Sequence, residues 1–587
     1  MRDRLLVRLF LQRFLDHDFI SSEADRRETL ATIAGTLVAV SLFLAVLLAL
    51  KYQFNMFLPP GLTALFSLDD RFLLVSASML VMALVAVAQW DSLALDARDG
   101  AVLGVLPVPQ RMIGRTKCAA VVLWAAGFTV AWAIAPTLLR PAALPVKLPV
   151  GGAGVLVLML AHGVTSIGAG AFGFLAVLGL RESLRALLGN FLFRWISPGL
   201  QASLIVACTT GLLLLPSVYS GVGRDWLSAE YVSPLAVPAL WFVGLHERLA
   251  GWVLDELPRG TVPRFFARTE PEATALYRAL RPQLQDLGTI AMAALVGTAV
   301  ITGAFSVWNA RRLPTPAPLR GPAKRMRQRF GVRLVTRLIA RQPPAQAGFF
   351  FALQTLSRSA SHRITLASSL AFGLAVVIVS SNARLFDAAG TARLPLTGLA
   401  AQSIVLAAVT AGFRHAIRVP AELRANWTFK MSCVGTMRAY IGGVKKAGWF
   451  GLILPALVVM AGIDLVVLGA WLAFLHFTLG LLVSWLFLEA AFLGYYRLPF
   501  ASAYVPDGRL RILSVPAVLG AVGGAFLLAW LERAAFPSLT GFGALLGVLV
   551  GLAIAVRVLD TTWRRPVDMP DLDEGAALPT QRFTLAG

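Results

Sequence analysis

The chain has 587 residues, of which 57% are hydrophobic and 14% charged, with 53 Lys+Arg against 31 Asp+Glu for a net charge of +22. A soluble domain carries about a quarter charged residues and no more than about half apolar ones, whereas here mean hydropathy is +0.72 and apolar runs of roughly 20 residues recur along the whole length. A soluble enzyme, a disordered chain and a disulfide-built scaffold are excluded, and the composition defines an all-α polytopic membrane protein.

In chain order, the first 28 residues are mostly polar, which argues against a cleavable signal peptide. Within them Arg4, Arg8, Gln12 and Asp16 repeat at i+4, beside a stripe of Leu6, Phe10 and Phe14. That pattern predicts an amphipathic helix in the headgroup plane. Apolar runs bounded by charges, Pro or Gly then predict about twelve spans, near 30–50, 72–90, 117–138, 150–178, 199–219, 288–308, 364–381, 397–413, 446–462, 465–488, 513–531 and 540–558. Residues 447–494 hold only Asp464, His476 and Glu489 as ionisable groups, and a tight turn near Gly462–Asp464 is expected to split them into two crossings.

With the N-terminus inside, the inner connections carry 39 Lys+Arg and the outer ones 14, half of the latter in the loop 220–287. Both termini are therefore expected to be cytosolic, and the basic excess is chiefly a topology signal with attraction to anionic membrane lipids behind it. No nucleic-acid partner is implied.

Segment 309–346 carries ten Arg/Lys, no acid and the breaker-rich run LPTPAPLRGPAK, so it reads as a basic cytosolic linker. It separates a first six-span half, 1–308 with 220–287 as an extracytoplasmic loop, from a second, 347–559. The acidic tail in 560–587 is expected to be disordered. The second half opens like the first, with Arg329, Arg333, Arg337 and Arg341 at i+4 and then Phe349, Leu353, Leu356 and Ala360 on one helical face.

Two cytosolic loops hold most of the remaining information. In WDSLALDARDGAVLGVLPVPQRMIGRTK (90–117), Ser92, Asp96 and Asp99 share a helix face that Pro107 and Pro109 end. In RVPAELRANWTFKMSCVGTMRAYIGGVKK (418–446), Arg418, Glu422, Asn426 and Lys430 form a stripe beside Leu423, Trp427 and Met431. These loops, with FFFALQTLSRSASHR at 349–363, resemble the permease subunits of bacterial ABC exporters of the ABC-2 type. The resemblance implies a half-transporter with an interface helix, six spans, a coupling helix between the second and third, and an extracellular element between the fifth and sixth. The first half has all four features. The second lacks the last, because 532–539 is too short.

On that resemblance the chain is not an enzyme. It is the permease of an exporter in the bacterial cytoplasmic membrane, with an unknown substrate. ATP and Mg²⁺ belong to a separate cytosolic ABC ATPase, since no GxxxxGK[ST] loop occurs here. The expected coupling surface is Asp96, Arg98, Asp99, Pro107, Arg111 and Lys117 in the first half, with Glu422, Arg424, Asn426, Trp427, Arg438 and Lys445 in the second. Two ionisable groups within spans, His162 and Glu489, are the candidates for a transport pathway. Each also has an ordinary structural reading, His162 bonded to a neighbouring helix and Glu489 paired with a base. His246-Glu247 stands isolated in the outer loop.

No catalytic, cofactor-binding or metal-ligating set is expected, and Cys118, Cys208 and Cys433 form neither a disulfide framework nor a metal site. Gly168, Gly170 and Gly173 match GxGxxG inside a span with no strand before it, so close helix packing is expected. Gly520/Gly524 and Gly543/Gly547/Gly551 also predict tightly packed faces. Two rival classes stay open. A secondary transporter of the major facilitator type shares the twelve spans and the basic central loop. An integral-membrane lipid-modifying enzyme would use the acids and His246 of the outer loop.

Overall fold

The computed structural model describes residues 2–15, 23–54, 59–90, 92–93, 108–144, 150–218, 234–254, 269–312, 335–382, 396–421, 437–493, 495, 498–501 and 508–562. Among these the regular structure is entirely helical, and twelve helical segments are long and apolar enough to cross a membrane. The chain is a multi-pass α-helical membrane protein. It forms two compact units, one holding the described helices up to Arg311 and the other those from Pro343 onward. The linker stretch 313–334, with Arg329 and Arg333, and the tail from 563 lie outside the described residues.

The first unit contains α1 (Arg2–Leu15), α2 (Glu23–Phe54), α3 (Pro60–Ala88), α4 (Gln110–Ala143), α5 (Gly152–Val218), α6 (Pro238–Ala250) and α7 (Thr269–Arg311). Prolines at Pro59, Pro60 and Pro109 preset the entries to α3 and α4, where a missing N–H costs nothing. The long α5, two helices joined at a kink, carries two crossings, 152–193 and 195–216. It bends at Gly189, whose φ of +70° and ψ of 166° only glycine adopts without strain. The fourth crossing thus extends well past the expected end at 178, and Arg181 and Glu182 stay helical, with Asn309 Nδ2 donating to the Glu182 side chain at 2.7 Å.

The second unit contains α8 (Pro343–Arg358), α9 (Ala360–Asn382), α10 (Leu396–Ala416), α11 (Met437–Gly448), α12 (Leu454–Val467), α13 (Ala470–Ala491), α14 (Gly508–Ala535) and α15 (Leu539–Thr562). A π-turn, Trp449–Ile453, joins α11 to α12 just before Pro455. The widened turn accommodates the missing proline N–H and its ring. Ser359 is extended, with ψ of 128°, so Ala360 belongs to the next helix and not to the face of Phe349 and Leu356.

The expected turn at Gly462–Asp464 is corrected. Both residues are helical, and the chain reverses at Gly469, where φ is +80°. Polarity did not mark the turn because Asp464 is a buried side chain of the span, facing His476 at 3.8 Å. The expectation of packed glycine faces on α14 and α15 is also corrected. A Cβ at Gly520, Gly524, Gly543, Gly547 or Gly551 would meet nothing within 4 Å among the described residues, because these faces point outward.

Each unit is built around its second crossing. In α3, 72% of the most apolar window is buried and in α10 67%, against 44% at most in any other span. The outer helices present large apolar side chains instead, such as Phe43, Val459 and Val466. Lipid offers little hydrophobic drive between helices, so close backbone approach matters. Gly173 on α5 lies against the Met79 carbonyl of α3, while Gly244 on α6 and Gly288 on α7 touch backbone to backbone. The GxGxxG residues serve packing, as expected: Gly168 lies against Phe242 and Gly170 against Thr129.

Candidate functional site

The Gly244–Gly288 contact sets the position of α6, which lies between the fifth and sixth crossings and is mostly buried. From it His246 and Glu247 reach Arg71 on α3, 175 and 176 residues away in sequence. Arg71 forms an ion pair with Glu247 and donates from Nη1 to His246 Nδ1 at 2.9 Å, from Nε to the Ser67 carbonyl at 3.0 Å and from Nη2 to Ser67 Oγ at 3.1 Å. Tyr277 on α7 donates to Glu247 at 3.1 Å, and Arg281 stands 3.9 Å from the same carboxylate.

The cluster continues across α2, α3 and α4. Lys51 pairs with Asp70 at 2.9 Å and the Tyr52 hydroxyl donates to the same carboxylate. Arg140, wholly buried, donates from Nη2 to the Ser67 carbonyl at 2.7 Å. His162 on α5 is also wholly buried, its ring centroid 6.2 Å from that of His246. Burial, and after it the charges on Arg71 and Arg140, push the His246 imidazole well below its ordinary value, so the ring is neutral. These residues come from the end of α2, the start of α3, the end of α4, the start of α5, α6 and the start of α7. They therefore share one end of the unit.

The opposite end carries α1. There Lys117 on α4 is buried, its ammonium 4.9 Å from the Phe10 ring centroid and 5.4 Å from that of Phe14. Phe14 also packs on Trp124 at 5.5 Å, and Gln89, at the end of α3, donates to the Phe14 carbonyl at 3.2 Å. Both ends of the loop between α3 and α4 are thus tied to α1. Arg111 is exposed at the start of α4. Asp96, Arg98, Asp99 and Pro107 lie outside the described residues.

Cation–π contacts contribute about 0.5–2 kcal/mol each. Lys117→Glu replaces them with a carboxylate against aromatic faces. It is expected to release α1, so that trypsin cuts at Arg8 in the folded variant and not in the wild type. An uncut K117E protein would show that Lys117 does not hold the helix.

In the second unit α8 occupies the corresponding place. Gly348 lies against the Tyr440 carbonyl and Gly443 against that of Ala345, bringing α8 onto the first turns of α11. Lys446 donates to the Ile339 carbonyl at 2.6 Å. Lys445 pairs with Glu489 at 2.8 Å and sits 5.1 Å from the Phe492 centroid, so two of the expected site residues meet each other. Arg438 is exposed, while Glu422, Arg424, Asn426 and Trp427 lie outside the described residues.

At the other end of this unit the His476 Nδ1 is 3.0 Å from Glu532 and its Nε2 3.8 Å from Asp464, all three buried. Gln402 on α10 donates to the His476 carbonyl at 3.0 Å. Among the described residues no group of three His, Cys, Asp or Glu is arranged to hold a metal ion.

Fold and site together define a multi-pass helical membrane protein with a buried polar cluster at one end of each unit and an amphipathic helix at the other. No protein-family model matches the chain, and neither a curated protein nor a solved structure is similar to it.

Proposed function

We propose that the chain is the membrane-spanning permease of an ABC-type exporter, driven by a separate cytosolic ATPase. The observation that carries this reading is the repeated docking of a short amphipathic helix on the first turns of the third crossing of each unit, α1 on α4 and α8 on α11. Each docked pair receives a loop of roughly the length of a coupling helix, 91–107 before α4 and 422–436 before α11. A force applied to such a loop reaches the bundle through a packed joint and is not absorbed by a flexible tether. The interface helices, the loops and α6 between crossings five and six agree with the features that the ABC-2 resemblance implies. ATP and Mg²⁺ bind in the partner on this reading, and the membrane is the bacterial cytoplasmic one.

Within this reading Lys117 and Lys445 act inside the joint, one on α1 and the other on Glu489. Arg111, Arg438 and the acidic residues Asp96, Asp99 and Glu422 face the ATPase. The tagged protein purified from its native membrane in mild detergent is expected to bring a phosphate-loop ATPase and ATP turnover with it. Asp99→Lys with Glu422→Lys is expected to lose both at least tenfold, about 1.4 kcal/mol of association or more. An unchanged double variant removes the coupling assignment.

A second reading, a proton-coupled secondary transporter, is favoured by the buried Asp464–His476–Glu532 line. A clean protein with no ATPase partner, whose proton-driven uptake is lost in Glu532→Gln, would select it.

A further inference from the structure

In the polar cluster of the first unit, Arg140 is a buried cation that no carboxylate among the described residues pairs with. Lys51, Arg71, Arg140 and Arg281 stand against Asp70 and Glu247. Asp70 is engaged by Lys51 and Tyr52, and Glu247 by Arg71, Tyr277 and Arg281. Arg140 makes its hydrogen bond to the Ser67 carbonyl, an oxygen that Arg71 Nε also uses, and its own Nε has no partner. Two buried guanidinium groups thus share one carbonyl while a carboxylate is paired with only one of them. A guanidinium is a donor at every nitrogen and accepts nothing, so what Arg140 lacks is an acceptor carrying negative charge.

His246 supplies an independent sign. Arg71 Nη1 can only donate, so His246 Nδ1 is the acceptor in their 2.9 Å contact and the ring proton sits on Nε2. That Nε2–H has no partner, although His246 is only 1% exposed. His162, edge-on to it, leaves its Nδ1 without a partner as well. A buried polar nitrogen left open calls for an explanation, and a bound ion is one. Arg140 and Arg71 share the Ser67 carbonyl, Arg71 donates to His246, and the His162 ring is 6.2 Å from that of His246, so the open nitrogens belong to one site.

We propose that this cluster binds an oxyanion, a carboxylate or phosphate group, held by Arg140 and by the His246 Nε2–H, with His162 beside them. The site lies about 35 Å along α4 from Lys117, at the end of the unit away from α1. It stands whether or not the chain is driven by an ATPase.

The test uses the full-length protein in phosphatidylcholine nanodiscs. Its thermal midpoint is followed by tryptophan fluorescence as inorganic phosphate or succinate replaces chloride at constant ionic strength, and in parallel discs containing phosphatidylglycerol. A saturable rise with phosphate or succinate identifies a free oxyanion. A rise that only phosphatidylglycerol gives identifies a lipid headgroup. In either case Arg140→Gln is expected to abolish the rise, while Arg248→Gln, an exposed change on the helix that carries His246, leaves it intact. If R140Q yields no folded protein, Arg140→Lys takes its place. It keeps the charge without the fork of donors, and the midpoint response is expected to need about tenfold more anion. Three outcomes overturn the proposal: a wild type that responds to none of the anions, an Arg140 variant that responds like the wild type, and an R248Q protein that loses the response equally.

Discussion

Glu247→Leu is expected to leave almost no monodisperse protein. Glu247 is wholly buried and is the carboxylate on which Arg71, Tyr277 and Arg281 converge. Removing it strands the Arg71 guanidinium, itself 1% exposed, beside the buried Arg140 with which it shares the Ser67 carbonyl. Breaking a buried pair from one side costs about 3–5 kcal/mol, a large fraction of the roughly 5–15 kcal/mol by which a domain is stable.

The reverse deletion has a different result. Arg71→Met leaves Glu247 its Tyr277 hydrogen bond at 3.1 Å and Arg281 at 3.9 Å, so it is expected to be milder. The double variant Glu247→Leu with Arg71→Met leaves neither charge exposed to apolar surroundings, and it is expected to recover most of the loss. Yield and thermal midpoint by fluorescence-detected size exclusion give the order: E247L lowest, then the double variant and R71M. An E247L protein as stable as the wild type would mean that α6 does not depend on this pair for its place.

The crossings were legible because the length of an apolar run is set by the thickness of the bilayer and needs no knowledge of tertiary contacts. Turns inside a long apolar run were not. Asp464 looked like a loop residue, yet the span keeps it because His476 stands opposite, and the chain turns at Gly469, which has no polar neighbour in sequence. The glycine stripes of α14 and α15 suggested close packing just as Gly170 and Gly173 did, but a stripe does not state which side of the bundle it faces.

The cluster around Arg71 was hidden for a related reason. It draws one to three residues from each of six helices, and His246-Glu247 looked isolated because its Arg71 partner is 175 residues away. One signal did point to it. Lys51, Arg71, Arg140 and Arg281 are all among the 14 positive charges that the charge rule places on the outer side. Basic residues on that side, at the edges of spans, call for buried counter-charge more than for a topology vote. Lys117 was misleading in the opposite way. It sits in a basic loop end that looks solvated, and only the placement of Phe10 and Phe14 shows the ammonium enclosed.

The joint between α8 and α11 allows a sharp contrast between two adjacent glycines. A side chain at Gly443 would run into the Ala345 carbonyl, whereas one at Gly442 would meet nothing within 4 Å. Gly443→Leu must therefore push α8 off α11, and overpacking of this kind costs about 1–3 kcal/mol. The contact is backbone to backbone, so no side-chain rotamer can relieve it. Gly442→Leu adds a side chain in open space and replaces the weakest helix former short of proline, which is expected to be neutral or to stabilise by up to about 1 kcal/mol. The two variants have the same composition, so detergent and expression effects cancel between them. Thermal midpoint separates their stabilities. On the permease reading, G443L also loses ATP-driven transport while the ATPase remains bound, because the loop still offers its surface but the joint that transmits its motion is loosened. Equal behaviour of the two variants would show that α8 is not held where Gly348 and Gly443 place it.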